Sequence, residues 1–292
     1  MFKKQLVLIK LMRLHQAIKN FFIFMPLFFA GLIMDVQLLH LAFLAFISFT
    51  CVASAVYIFN DYHDIEEDKA HPKKKFRPLA SGDVSIKVAM FILCVLLVIG
   101  LGLMFYTSVS AFKILLAYVL MNLAYSLALK KMAIIDVCII AIGFVLRLFI
   151  GSVVTDVPLS MWIVVMTFLL AFFIALAKRR DDVIIYEETG KQMRAAIKGY
   201  NLKFLDSALV ITAALTIVSY LLYTVSPDIT QRLHNNYLYI STVFVIMGIL
   251  RYLQITFVEK NSGSPIQLVF TDIFLQIVIV LWVLFFSWIL YS

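Results

Sequence analysis

The run Asn60-Asp61-Tyr62-His63-Asp64-Ile65-Glu66-Glu67-Asp68 places five carboxylates at the end of a long apolar segment. Asn60, Asp64 and Asp68 recur at i, i+4 and i+8, so a helix stacks them on one face, with Asp61 a turn before Asp64. Hard oxygen donors in that arrangement suit Mg²⁺ shared with a phosphate or diphosphate. Like charges aligned this closely repel one another unless a cation neutralises them. A solvated acidic loop has no use for the spacing, and the run closes an apolar helix, where ionisable groups mark function. Asn60, Asp61, Asp64 and Asp68 are the expected metal ligands, and the three aspartates the expected centre of the chemistry.

The acidic run passes directly into Lys69, His71-Pro72, Lys73-Lys74-Lys75, Phe76, Arg77-Pro78 and Ser81-Gly82. Arg77, fixed between Phe76 and Pro78, offers the rigid two-pronged donor that recognises phosphate. Lys73 and its two neighbours serve equally as phosphate contacts or as the basic residues that collect on the inner face of a membrane. A second charged run opens Lys178-Arg179-Arg180-Asp181-Asp182 and continues to Tyr186, Glu187 and Glu188. It offers Lys178 and Arg179 to phosphate oxygens and Asp181 or Asp182 to a second metal or a hydroxyl. Internal pairing at a solvated helix end is the alternative.

Other polar residues interrupt apolar stretches. Asp136 and Arg147 fall on one helix face but about 16 Å apart along it, too far to pair. Asp136 lies near a helix end, within reach of a metal site; Arg147 lies deeper, where a ligand contact and a structural role are both open. Asn122, Tyr125 and Ser126 share a face and either line a polar pocket or bond between helices, with Lys130 just beyond. Arg13, His15, Gln16, Lys19 and Asn20 cluster before the first apolar segment, with Lys19 and Asn20 expected to face the acidic loop. The five histidines lack zinc spacing, no nucleophile is paired with a base, and no glycine-rich phosphate loop is present.

The elements that must position these residues are membrane helices. Of 292 residues 63% are hydrophobic and 14% charged, with a mean hydropathy of +1.00. Apolar runs of about 20 residues recur along the chain, each long enough to cross a bilayer. The periodicity predicts nine spans, at 20–36, 38–59, 86–106, 111–129, 133–151, 160–177, 204–224, 236–256 and 268–290, in a single domain over 1–292. Residues 1–19 read as an amphipathic helix lying on the membrane surface rather than a removable signal peptide. Cys51, Cys94 and Cys138 sit within apolar segments as packing residues.

Of the 25 Lys and Arg, all but Lys113, Arg147 and Arg232 fall on or beside the side holding the N-terminus. That asymmetry predicts a cytoplasmic N-terminus and, with nine spans, a C-terminus outside. The net charge of +8 thus belongs to one membrane face and needs no nucleic acid to explain it. Two loops on that face, 60–85 and 178–203, are longer than the rest, each opens with charge, and they follow spans 2 and 6. Long loops among short ones are where function gathers.

At Asn60-Asp61-x-x-Asp64-x-x-x-Asp68 the chain resembles the UbiA superfamily of intramembrane prenyltransferases, over nearly its whole length. Within it, the context is similar to the polyprenyl-phosphate phosphoribosyltransferases. The stretches that carry this are Arg13-x-x-Gln16-x-x-Lys19-Asn20, Asn60 through Ser81-Gly82, Leu123-Ala124-Tyr125-Ser126, Asp136-Val137, Gly143-Phe144 with Arg147, and Lys178-Arg179. The resemblance implies an all-α integral membrane fold, nine transmembrane helices around a central cavity open to the cytosol, in a bacterial inner membrane. A homo-oligomer is compatible with it. It implies Mg²⁺-diphosphate on Asn60, Asp61, Asp64 and Asp68, and transfer of 5-phosphoribosyl from phosphoribosyl pyrophosphate to a polyprenyl phosphate.

Lys19, Arg77, Lys178 and Arg179 would then grip the ribose 5-phosphate or the lipid phosphate. The lipid tail would lie in a groove open to the bilayer. A departure favours this branch: prenyl-diphosphate users carry Asp-x-x-x-Asp as their second motif, whereas here Ile185 follows Asp181 and Tyr186 follows Asp182 at that distance. The rival within the superfamily moves a prenyl group from prenyl diphosphate to an aromatic acceptor. A transporter is disfavoured, because the spans contain few Gly or Pro breaks and the acidic groups gather at one surface.

Overall fold

A computed structural model describes residues 2–70, 74–190, 195–233, 236–259 and 265–291, and every regular element among them is helical. The contacts divide the chain into two compact units, Met1–Lys130 with Gly143–Pro158, and Lys131–Ile142 with Leu159–Ser292. The first holds α1 (Phe2–Met12), a 3₁₀ segment (Leu14–Phe24), α2 (Met25–Phe29), α3 (Val36–His63), α4 (Ile65–Ala70), α5 (Ile86–Thr107) and α6 (Val109–Leu127). The helix α7 (Ile135–Thr155) begins in the second unit and ends in the first. The second continues with α8 (Met161–Thr189), α9 (Leu202–Val225), α10 (Pro227–Leu233), α11 (Thr242–Phe257), α12 (Pro265–Thr271) and α13 (Ile273–Tyr291).

Local chemistry sets the helix ends. The Asp35 carboxylate accepts from Gln37 N and Leu38 N at 2.9 and 3.1 Å and starts α3. Ser85, Ser108, Ser160 and Asn201 do the same for α5, α6, α8 and α9. Gly190, at φ 67°, ends α8 in the left-handed conformation that glycine adopts without strain.

In the first unit α3 packs along α5 and α6 through Ala45, Phe49, Val52, Met104, Leu115 and Tyr118. At Gly100 a Cβ would stand 2.8 Å from the Ser48 carbonyl oxygen, and the Ser48 hydroxyl donates to the Gly100 carbonyl at 2.6 Å. Small residues let two membrane helices approach to backbone contact here. The other face of α5 points outward, with Phe91 70% exposed and Val98 73% exposed. On a water-soluble surface such a stripe would be a liability; against lipid it is the expected exterior. In the second unit Phe173, Leu176, Leu205, Leu209, Ile249 and Ile255 build a separate core from α8, α9 and α11.

Among the described residues eight helices are long and apolar enough to cross a membrane, from Val36–His63 to Ile273–Leu290. The chain is therefore a multi-pass integral membrane protein. The first expected span, 20–36, is not a continuous helix but the end of the 3₁₀ segment, α2 around Pro26, and a turn. This composite nevertheless runs antiparallel along α3. Arg13 pairs with Asp61 near one end of α3, the Asn20 amide donates to Thr50 Oγ1 at 3.0 Å near its middle, and Asp35 caps the other end.

Two loop expectations change. Asn60 and Asp61 lie within α3, and the run from Lys178 to Glu188 lies within α8 rather than in a loop. No glycine or proline breaks α8 before Gly190, and an Arg179–Asp182 pair at i, i+3 supports the helix. Nor is 1–19 one surface helix: α1 ends at Met12, where Arg13 adopts φ 51°, ψ 44°, before the 3₁₀ segment begins.

Candidate active site

Three aspartates at the end of α3 and in α4 meet four cations. Asp61, 2% exposed, pairs with Arg13 and accepts from Arg77 Nη1 at 3.1 Å. The same Arg77 nitrogen lies 2.6 Å from Asp68 Oδ2, so one guanidinium bridges two buried carboxylates. Asp64 pairs with Lys130, and Lys74 Nζ stands 3.9 Å from Asp68 Oδ1. Asn60 holds the ladder together, donating to Asp64 Oδ2 at 3.1 Å and accepting from the Ser126 hydroxyl at 3.2 Å.

The helical spacing survives the break between α3 and α4. Asp64 N donates to Asn60 O at 3.0 Å and Asp68 N to Asp64 O at 2.8 Å, so the i, i+4, i+8 relation holds across the junction. Arg13 reaches Asp61 from a left-handed backbone, which a non-glycine residue holds at a cost of about 1 kcal/mol or more. Burial lowers the Arg13 pKa, with Asp61 opposing that effect and Arg77 adding to it.

The donor set fits a hard cation. The candidate ligands Asn60, Asp61, Asp64 and Asp68 are all oxygen donors, and Asp68 Oδ1 is buried with no hydrogen-bond partner among the described residues. Among the described residues, however, no three His, Cys, Asp or Glu side chains converge as a metal-binding group. The sequence placed the aspartates on one ion; the structure distributes them over Arg13, Arg77 and Lys130, which neutralise the repulsion a shared face would create.

The remaining expected residues fall into three settings. Asn122 donates to the Tyr118 carbonyl of its own helix at 2.8 Å, and Tyr125 is half-buried on α6. Arg147, 4% exposed, donates to Asn20 Oδ1 at 2.8 Å, Gly143 O at 2.6 Å and Tyr118 Oη at 3.5 Å. Lys73 lies outside the described residues. In the second unit Asp136 is fully buried and both its oxygens are engaged, by Arg179 Nε at 2.5 Å and by Tyr200 Oη at 2.7 Å. Asp136, Arg179 and Tyr200 thus form a buried hydrogen-bonded triad.

Arg179 also contacts Asp182 at 3.1 Å, while Lys178 and Asp181 are half-buried beside it. Arg179 and Arg180 are 1% and 7% exposed, so this part of α8 is interior, against the alternative of a solvated helix end. The Tyr200 phenol is held well above its ordinary pKa by burial first and by its bond to Asp136 second. Sequence reasoning left Tyr200 out of the site and gave Arg13 no partner. The Arg13-x-x-Gln16-x-x-Lys19 spacing was the available signal for Arg13; Tyr200 carried none.

These features define a polytopic, all-helical membrane protein whose polar residues gather where α3, α4 and the N-terminal segment meet. The chain belongs to the UbiA prenyltransferase family, whose family model matches residues 21–278. It is accordingly a transferase. It is 30% identical over 286 residues to a decaprenyl-phosphate phosphoribosyltransferase of Mycolicibacterium smegmatis, covering 94% of this chain and 90% of that protein. A protein of the same name from Corynebacterium glutamicum is 29% identical, over 94% of this chain and 84% of its own length. The fold is similar to that of a UbiA homolog from Archaeoglobus fulgidus bound to DMAPP and Mg²⁺, with a TM-score of 0.69, 17% identity, and 97% and 98% of the two chains covered.

Proposed function

We propose that the protein transfers 5-phosphoribosyl from phosphoribosyl pyrophosphate to the phosphate of a polyprenyl phosphate, releasing pyrophosphate. One observation carries the reading: carboxylates and cations interleave at the acidic run, Arg77 bridging Asp61 and Asp68 while Arg13 and Lys130 hold Asp61 and Asp64. Carboxylates alone would suit a metal, and cations alone a phosphate; together they suit a metal-bound diphosphate. Two relatives with this name, aligned over most of their length, support the choice of donor and acceptor.

Mg²⁺ bound with the substrate would neutralise the pyrophosphate as it leaves. Asn60, Asp61, Asp64 and Asp68 would hold that ion. Arg77 and Arg13 would turn from the aspartates toward the diphosphate oxygens, keeping the cluster close to neutral in both states. The bond from ribose C1 to the pyrophosphate oxygen breaks as a lipid phosphate oxygen forms its own bond to C1. That nucleophile is already an anion, so no side chain is required to take a proton.

Charge supports a location of the acidic cluster at the cytoplasmic face. Lys69, Lys74, Lys75 and Arg77 directly follow the acidic run, the composition favoured on a cytoplasmic face. The test is direct. Purified protein with Mg²⁺, labelled phosphoribosyl pyrophosphate and polyprenyl phosphate should yield a labelled lipid, and chelation of Mg²⁺ should stop it. No labelled lipid, together with prenylation of an aromatic acid from a prenyl diphosphate, would replace this reading with prenyl transfer.

A further inference from the structure

The turn that joins α6 to α7 breaks a local rule. The Ile134 carbonyl accepts from Cys138 N at 2.9 Å, so this residue stands at the cap of α7. An isoleucine there has no side-chain acceptor for the free amides of a helix start. It also adopts φ 71°, a left-handed conformation in which a β-branched residue is a true outlier. Its side chain is 49% exposed, so burial does not offset the strain. Strain of this kind persists only where the surroundings impose it, and it gathers at working sites.

Two neighbouring residues, Gly199 and Tyr200, impose it. The Ile134 amide donates to Tyr200 Oη at 2.6 Å, and that hydroxyl donates to Asp136 Oδ1 at 2.7 Å. Arg179 Nε holds the other carboxylate oxygen at 2.5 Å. A phenol has one proton, and with Asp136 taking it the oxygen is left to accept from Ile134. Beside this bond, a Cβ on Gly199 would stand 2.5 Å from the Ala133 Cβ, so the short 3₁₀ segment Ala195–Gly199 lies directly against the turn. Tyr200 itself is buried, in one core with Val137, Ala196 and Ile197.

The same turn begins with Lys130, whose side chain is 13% exposed and paired with Asp64. A lysine reaches its partner on a flexible four-carbon stem, so the position of its backbone decides whether the ammonium arrives. We infer that Tyr200 is a positioning residue: its hydroxyl holds Ile134 in the left-handed turn and so keeps Lys130 on Asp64. The inference deepens the functional reading above, because the pair serves transfer only if Asp64 holds the donor's metal.

The experiment treats purified full-length protein with a small amine-acylating reagent and follows Lys130 by mass spectrometry, with the exposed Lys131 as internal reference. Formation of labelled lipid is measured beside it. In Tyr200→Phe, acylation of Lys130 relative to Lys131 should rise and kcat/KM for phosphoribosyl pyrophosphate should fall, each by about tenfold, the weight of the strain released. Adding Ile134→Gly should restore both, since glycine holds φ 71° without strain. Ile134→Asn, whose side chain tolerates the left-handed region, should do the same if glycine leaves the turn too loose. Gly199→Ala presses on Ala133 without touching the tyrosine and should free Lys130 likewise, which keeps the test decisive if Tyr200→Phe does not fold. In a Lys130→Met background Tyr200→Phe should cost no further activity, whereas a purely structural tyrosine would cost as much in either background. Unchanged Lys130 acylation, failure of both Ile134 substitutions to restore it, or additive losses with Lys130→Met overturns the inference. Acylation needs no substrate, so it judges the inference by itself; wild-type protein that forms no labelled lipid overturns only the proposed reaction.

Discussion

Arg77 Nη1 stands 2.6 Å from Asp68 Oδ2, with Asp68 1% exposed. Asp61 keeps Arg13 if Arg77 is removed, whereas among the described residues Asp68 retains Lys74, 3.9 Å away. Truncating one partner of a buried, hydrogen-bonded charge pair costs about 2–5 kcal/mol. Arg77→Ala is expected to lower kcat/KM for phosphoribosyl pyrophosphate by roughly 100-fold or more, and Arg77→Lys to recover part of that loss, since a single nitrogen, Nη1, makes both contacts and an ammonium has donors enough for two. Steady-state formation of labelled lipid measures both. Wild-type rates in Arg77→Ala would remove the bridge from the mechanism.

Asp64 differs from its neighbours in being held by Lys130 of another helix and by Asn60 of its own. Asp64→Asn is expected to abolish detectable transfer, because the proposed Mg²⁺ site would lose a charged ligand and Lys130 the carboxylate it pairs with. Lys130→Met should cost less. The double variant should be no worse than Asp64→Asn, as interacting residues are non-additive. Additive losses would separate the lysine from the aspartate's role.

The ladder of Asn60, Asp64 and Asp68 was legible because helix periodicity governs it locally, and the backbone bonds through Asp64 preserve that periodicity across the α3–α4 junction. The all-helical membrane class was legible in hydropathy alone. What the sequence hid depends on partners distant along the chain. Arg179 reads as a solvated charge beside Asp181 and Asp182, yet it is 1% exposed because Asp136 waits 43 positions earlier. The segment 20–36 reads as one apolar span, but the structure builds it from the end of a 3₁₀ segment, a short α-helix from Met25 and a turn. Hydropathy measures how much a segment wants lipid; it carries no information on which helical form delivers it there.

Asp136 and Tyr200 yield a stability prediction. Asp136→Asn would remove the nearest counter-charge of the buried Arg179 and leave the half-buried Asp182, 3.1 Å away, to balance it, a change that costs up to about 3–5 kcal/mol. Tyr200→Phe removes one neutral donor from the same carboxylate and should cost about 1–3 kcal/mol. Thermal unfolding in detergent should rank Asp136→Asn well below Tyr200→Phe and both below wild type. A fully stable Asp136→Asn protein with raised KM for the donor would return Asp136 to the substrate site.

Two glycines give opposite predictions for the same substitution. A Cβ at Gly151 of α7 would collide with the carbonyl oxygen of Ile23, so α7 and the 3₁₀ segment touch backbone to backbone there. Gly151→Ala must push them apart, and overpacking of this kind costs about 1–3 kcal/mol. At Gly102 of α5 a Cβ meets nothing within 4 Å. Gly102→Ala therefore gains helix propensity, about 0.5–1 kcal/mol, without a clash. The unfolding midpoint should fall for Gly151→Ala and hold or rise for Gly102→Ala, with transfer activity unchanged in the latter. A midpoint for Gly151→Ala equal to wild type would mean the 3₁₀ segment does not seat against α7, and the alignment of Asn20 with Arg147 would fail with it.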